Sequence, residues 1–319
     1  MKRFLTNLAY FMVVQALIAT IVLAVYVRCR PFGQHYLAAS IDKQVNLKTQ
    51  PTPRLVFVGG SNLAFGIDSE EIAIHTHFHP VNMGLHVELG LDYMLNEAKS
   101  GLRSGDIVIV SPEYELYGEH YAGGGEILYT ALEQHPANIR YYSLQNVAKI
   151  LDKGLVLAGQ FIDYDMRCLT RQKDPLDPND PSNVYKRNAF NQYGDVIAHY
   201  SLPSKPFSIP SIGAKISSRS VARTAHDLNQ FKAWCDQHNV IVVYSYPMVP
   251  TEYFNQNRGV IDEIRASVSG LSFPVIDSPE EMTLPKESFF DTPYHLTKTG
   301  TEQRTARLLM RLKEKGLVQ

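Results

Sequence analysis

Three short runs constrain the fold more than anything else in this chain: LVFVG at 55–59, DIVIV at 106–110 and VIVVY at 240–244. Each is apolar at successive positions, the pattern of a strand buried on both faces. Such strands need helices above and below, and helical stretches separate the runs. Asp68-Ser69-Glu70-Glu71-Ile72 places acidic residues in a first helical turn. Leu89, Tyr93, Leu95 and Ala98 give a helix over 88–101 its apolar side, and further helices are expected at about 219–238, 257–268 and 298–315. Shorter strands are expected near Pro80-Val81-Asn82 and at 273–276. Strands alternating with helices argue for a parallel sheet covered on both faces, here a three-layer α/β/α sandwich with a mainly parallel, flavodoxin-like sheet.

The N-terminus carries a different signal. From Leu8 to Val27 nothing is charged, and only Gln15 and Thr20 are appreciably polar. About 20 apolar residues cross a bilayer core as a helix. The run is longer than the ~7–15 residues of a secretory signal core, and Val25-Tyr26-Val27 is no small-x-small cleavage site, so it reads as a retained single-pass anchor. Lys2 and Arg3 at one end are matched by Arg28 and Arg30 at the other, so the charge count gives no orientation. Residues 1–30 are thus taken as an N-terminal membrane anchor, 31–52 as a tether, and 53–319 as an α/β domain with a long insertion at about 115–215. That insertion holds GGG at 123–125, DPLDPNDPSN at 174–183 and PSKPFSIPS at 203–211, which is loop chemistry interrupted by a few helices, such as one near 143–160.

Bulk properties exclude several classes of function. A net charge of −1 gives no general attraction to nucleic acid. Cys29, Cys168 and Cys235 have no metal-binding spacing; the reading favours small buried hydrophobes over a Cys168–Cys235 bridge. His75, His77 and His79 alternate in IHTHFHP without an acidic or cysteine partner nearby, so they read as a solvated face; no metal or other cofactor is expected.

The turn after the first strand run, Gly59-Gly60-Ser61-Asn62, needs explaining. In open parallel sheets the working groups gather beyond the carboxyl ends of the strands. Glycines there allow a sharp turn and close approach of backbone to a ligand. A serine hydroxyl becomes a nucleophile only when a base removes its proton. Among eleven histidines, His295 in FFDTPYHLTKTG lies between the last strand and the last helix, with Asp291 four residues before it and Thr297 as a helix cap. The three together suggest Ser61 as nucleophile, His295 as base and Asp291 as the carboxylate orienting the imidazole.

These residues resemble the SGNH (GDSL-like) hydrolase superfamily over roughly 53–315, and within it membrane-tethered members linked to envelope polysaccharide modification. The Gly59-Gly60-Ser61-Asn62 turn corresponds to the family's nucleophile block and Asn82-Met83-Gly84 to its Asn-x-Gly block. The resemblance implies that Gly84 and Ser61 amides hold the oxyanion, with Asn82 and Asn62 close to the substrate. Two departures stand out. The family's D-x-x-H becomes a spacing of four between Asp291 and His295, and the third block, G-x-N-D in the family, reads IVIVSPEYELYG without an asparagine. Glu113, Tyr114 and Glu115 stand there instead; a carboxylate would repel the developing charge, whereas the Tyr114 hydroxyl could donate to it. A lost oxyanion donor costs about 3–4 kcal/mol of transition-state stabilisation. Either Tyr114 or a group from the insertion substitutes, or the site is weakened.

The stretch YKRNAFNQYGDVIAHY (185–200) gathers Arg187, Asn188, Asn191, Asp195 and His199. It reads equally as a loop shaping the acceptor side of a cleft and as a turn held by its own side chains around Gly194. The resemblance implies acyl transfer, acetyl above all, or ester hydrolysis on a cell-envelope or extracellular polysaccharide. The expected setting is a bacterial inner membrane with the domain periplasmic, and envelope-assembly proteins are expected as further partners. The rival expectation is a non-catalytic glycan-binding or scaffolding subunit, favoured by the altered third block.

Overall fold

The structure, a computed structural model, describes residues 1–30, 32–170, 180 and 182–318. Its centre is a parallel sheet of β1 (Arg54–Gly59), β2 (His79–Asn82), β3 (Ile107–Ser111) and β4 (Ile241–Tyr244), in the order β2-β1-β3-β4. A parallel bridge from Tyr244 to Val275 extends it at the β4 edge, where the sequence suggests a short strand. β5 (Val249–Pro250) and β6 (Thr283–Leu284) form a separate small parallel pair.

The helices are α1 (Lys2–Cys29), α2 (Ala39–Thr49), α3 (Ser61–Ala64), α4 (Ser69–His75), α5 (Leu91–Lys99) and α6 (Gly125–Gln134). They continue with α7 (Leu144–Asp152), α8 (Gly154–Leu169), α9 (Ser218–Gln237), α10 (Thr251–Gln256), α11 (Arg258–Val268) and α12 (Lys298–Glu314). Period-two side-chain geometry divides each strand between two cores. Leu55, Phe57, Ile107 and Ile109 meet Ile72 of α4 and Leu308 and Leu312 of α12. Val56, Val58, Val108 and Val110 meet Leu95 of α5, Phe231 of α9 and Ile264 of α11. Both faces are covered, as continuous apolar runs require. The α/β class and the N-terminal apolar helix expected from sequence are present.

Two expectations, the tether and the single cysteines, are corrected. The stretch 31–52 is not an open tether. Tyr36, Leu37 and Leu47 are buried, and α2 packs against β2 through an amphipathic face too short to stand out from its polar neighbours. Among the described residues the insertion at about 115–215 contains the helices α6, α7 and α8, where a few helices are expected; its DPLDPNDPSN stretch lies mostly outside the described residues. His75, His77 and His79 are exposed, as expected of a solvated face, with His75 ending α4 beside Glu71 and His79 opening β2. Finally, the cysteines are not all single. Cys29 and Cys168, 139 positions apart, form a disulfide because α8 lies against the end of α1, while Cys235 is free and buried.

One buried ion pair closes the amino-terminal edge of the sheet. Arg54 donates from Nε to Asp106 Oδ1 (2.9 Å) and from a terminal nitrogen to Oδ2 (2.5 Å), both side chains being fully enclosed. Its remaining donors reach the carbonyls of Leu47 and Gly101. Removing one partner strands the other charge in the interior. Asp106→Ala is therefore expected to cost about 3–5 kcal/mol in denaturant unfolding of the detergent-solubilised protein.

Candidate active site

β1 and β3 are paired in step, with Gly59 opposite Ser111. The strand order reverses direction between these two, which makes their carboxyl ends the crevice of the sheet. The chain leaves β1 through Gly60 into Ser61, the first residue of α3, and leaves β3 through Pro112 into Glu113. Equal register brings both side chains to the same height. A β-carbon on Gly60 would lie 2.7 Å from Glu113 Oε1, so only glycine lets the carboxyl sit over the turn.

Ser61 Oγ is 2.9 Å from His295 Nε2, across 234 positions of sequence. His295 Nδ1 is 2.8 Å from Asp291 Oδ1, so a spacing of four still closes the contact. The intervening Thr292 hydroxyl accepts from the amides of Tyr294 and His295, winding the segment into a tight turn. The His295 ring stacks on Phe65 at 3.9 Å between centroids and 9° between planes. Tyr185 donates to Asp291 Oδ2 at 2.6 Å. Burial alone would raise the Asp291 carboxyl, but the hydrogen bonds from His295 and Tyr185, with the His295 charge, outweigh it and hold the group below its ordinary range. Thr297 caps α12 as the sequence suggests, its side chain accepting from the Gly300 amide.

The other expected site residues fall into different positions. Asn82 is fully buried; its amide group donates to Leu63 O (2.9 Å) and Asp195 Oδ1 (2.8 Å), and its Oδ1 accepts from the Gly84 amide (2.9 Å). Gly84 N–H is thus engaged within the β2 turn rather than presented to substrate, a correction to the expected oxyanion pair. Asn62 is also buried, its side chain donating to Ser111 O (3.1 Å). Tyr114 is the second correction. Its ring is enclosed beside Tyr253, its hydroxyl has no partner, and it does not line the cavity that holds Ser61. The residue after Glu113 points to the opposite side of the chain, into the core.

That cavity, of about 410 Å³, is lined by Ser61, His295, Glu113, Glu115, His86 and His120, with Tyr36, Tyr185 and Tyr294 among its walls. Glu113 is the residue whose role the sequence least discloses. Its Oε1 accepts from the Asn62 amide (2.8 Å) and lies 3.2 Å from Ser61 Oγ. Burial, and then the nearby Glu115 charge, push its carboxyl up to about 8, against the hydrogen bonds from Asn62 and Ser61 and the charge of Arg304. Glu115 accepts from the Tyr294 (2.6 Å) and Tyr253 (3.1 Å) hydroxyls. Arg304 of α12 is buried beneath the turn, donating to Asn62 O (2.5 Å) and Ser111 Oγ (3.1 Å). Burial draws His86 down to about 4, with the His295 and His120 charges acting in the same sense, so it stands neutral in the wall. No group of His, Cys, Asp and Glu able to hold a metal occurs among the described residues.

The 185–200 stretch proves to be both a self-held turn and a brace. Asn191 Oδ1 accepts from the amides of Tyr193, Gly194 and Asp195, with Gly194 at φ +98°. Asp195 then accepts from the Ser69 amide and hydroxyl and from Asn82, tying the turn to α4 and β2. His199 bonds Leu296 O, next to His295.

No family model and no curated protein matches the chain. Among solved structures it is similar to an acetyl xylan esterase (Est2A) from the rumen bacterium Butyrivibrio proteoclasticus, at 10% identity and a TM-score of 0.34. That match covers 83% of this chain and 65% of the esterase. A likeness at this level carries no argument about function, and the geometry of the site must stand by itself.

The contact between Gly60 and Glu113 can be tested directly. Gly60→Ala forces the carboxyl away from the turn and, through it, the Ser61 hydroxyl. An ångström of misplacement costs about 10²-fold in rate. The labelling rate with a fluorophosphonate probe is expected to fall by that order while the circular dichroism spectrum is retained.

Proposed function

We propose that this protein is a membrane-anchored, serine-dependent acyl-transfer enzyme of SGNH type, acting as O-acyltransferase or esterase, chiefly on acetyl groups of a cell-envelope or extracellular polysaccharide. The observation that carries the reading is the unbroken chain Ser61–His295–Asp291, with hydrogen-bond distances of 2.9 and 2.8 Å beside an open cavity. In this reading His295 Nε2 takes the Ser61 proton as Oγ attacks the ester carbonyl, and returns it to the departing alcohol oxygen. Asp291, itself held by Tyr185, stabilises the imidazolium. Water or a sugar hydroxyl, deprotonated by the same imidazole, then releases the acyl group from Ser61.

The developing oxyanion faces the Ser61 amide, which as the first residue of α3 has no intrahelical acceptor. Glu113 takes the part of the family's asparagine, and its protonation state decides whether it helps. With Oε1 accepting from Asn62, the acid proton belongs on Oε2, where a neutral carboxyl can donate. An ionised Glu113 would repel the oxyanion and compete with His295 for the single Ser61 proton. The carboxyl's shift to about 8 keeps it neutral at ordinary pH.

The Cys29–Cys168 disulfide supports placing the domain on the oxidising, extracytoplasmic side of the membrane, in a bacterium the periplasmic side of the inner membrane.

Two experiments test the reading. Fluorophosphonate labelling is expected in the native protein and lost in Ser61→Ala, with acetate release from an acetylated polysaccharide falling by at least about 10³-fold. A folded native protein that binds glycan but never labels would instead establish the non-catalytic scaffolding reading. The second experiment is a pH profile. Activity is expected to decline as pH rises through about 8, and Glu113→Gln, which cannot ionise, is expected to lack that alkaline decline. The raised carboxyl also favours the folded state below its unfolded value of 4.5 and loses that advantage as pH climbs to about 8. The gain in melting temperature from Glu113→Gln should therefore grow across that window.

A further inference from the structure

The last turn of α1 packs against the domain, whereas the rest of α1 is exposed. Its apolar 18-residue window has no buried residue. At its end the Tyr26 hydroxyl bonds Glu133 of α6, and the Tyr26 ring meets Phe161 of α8 edge-on at 5.8 Å. The Arg30 guanidinium lies over Tyr164 (4.1 Å) and Phe161 (4.9 Å), and Cys29 is bonded to Cys168. One side of α8 is thus fixed against the point where the apolar segment ends.

The other side of α8 is exposed among the described residues. Leu155, Ile162, Met166 and Leu169 are 91%, 67%, 54% and 59% exposed. Steps of seven, four and three residues keep them within one narrow stripe of a helix. On α7, Leu144 and Leu151, seven apart, are 89% and 75% exposed. A soluble domain surface has no use for so regular an apolar line. A helix with one apolar stripe and one polar side lies in the plane of a bilayer surface, its stripe below the headgroups.

We propose that α7 and α8 form a second membrane contact, the α8 stripe seated among lipid acyl chains in the leaflet from which α1 emerges. Lipid is the occupant because the disulfide and the Arg30 stack hold α8 at the very end of the apolar span, at the level where that span leaves the bilayer. Any protein partner would have to share that place with the bilayer. The disulfide then fixes the angle between the two elements, so the domain is set against the membrane at two points and cannot swing on a single helix. The inference rests on α1 as a span and is independent of the catalytic reading.

Trp234 is the single tryptophan of the chain, which makes the test direct. The full chain carrying Trp234→Phe and Ile162→Trp is reconstituted into phosphatidylcholine vesicles with or without bromine on the upper acyl carbons. Such a helix seats ~5–10 Å into the headgroup–acyl boundary, and the brominated lipid is expected to remove about half or more of the introduced indole's emission. Vesicle flotation is measured on the same samples. Protein that floats while its indole is unquenched overturns the α8 contact alone; if it also cross-links as a dimer, the stripe belongs to a second copy. Protein that does not float lacks the span, and the proposal fails with it. In every arm hydrolysis of a soluble ester reports the catalytic reading separately, since Ile162 and Trp234 lie outside the cavity.

Discussion

The pairing of Gly59 with Ser111 is the constraint on which the site depends. Two neighbouring parallel strands in step must deliver the residues that follow them to the same level. Ser61 and Glu113 meet for that reason, and Gly60 is what allows the meeting without a clash. Arg304 then locks the two strand ends together, bonding the Asn62 carbonyl on one side and the Ser111 hydroxyl on the other. α12 thereby carries more than apolar cover. It joins the turn bearing the hydroxyl to the helix that directly follows the His295 loop.

The carboxyl groups around this turn differ in character because their surroundings differ. Asp291 is hydrogen-bonded by both His295 and Tyr185, which hold its carboxyl below the ordinary range against the effect of burial. Glu113 is enclosed beside a second carboxyl and is pushed the other way. Groups of one chemistry driven apart in proton affinity are a recurrent sign of divided acid and base duties. Here burial and a second carboxyl hold Glu113 up at about 8, beside the same turn that carries Ser61. Glu115, held by Tyr294 and Tyr253, supplies part of the field that holds it there.

The segment between α1 and the sheet belongs to the same cavity. Tyr36, six residues beyond Arg30, lines the cavity and donates to Leu85 O (2.8 Å). Lys43 of α2 reaches the carbonyls of Asn82 (2.9 Å) and Gly194 (2.6 Å), linking the end of β2 to the 185–200 turn. Only a few residues therefore separate the end of the apolar helix α1 from the cavity wall.

The sequence by itself determined the α/β class, because continuous apolar runs leave a strand no option but burial on both faces. It also marked the N-terminal apolar helix and, through the Gly-Gly-Ser-Asn turn and His295, the two residues that proved to be in contact. Local signals sufficed there: strand, turn and helix cap are written in neighbouring residues. Tertiary structure alone decided the rest. Whether Asn82 and Tyr114 face the cavity or the core, whether Glu113 carries a charge, and which cysteine meets Cys29 all depend on groups far away in sequence. Hydrogen-bond partners, burial and neighbouring charge are properties of the packed chain, and they are what turn a residue type into a role.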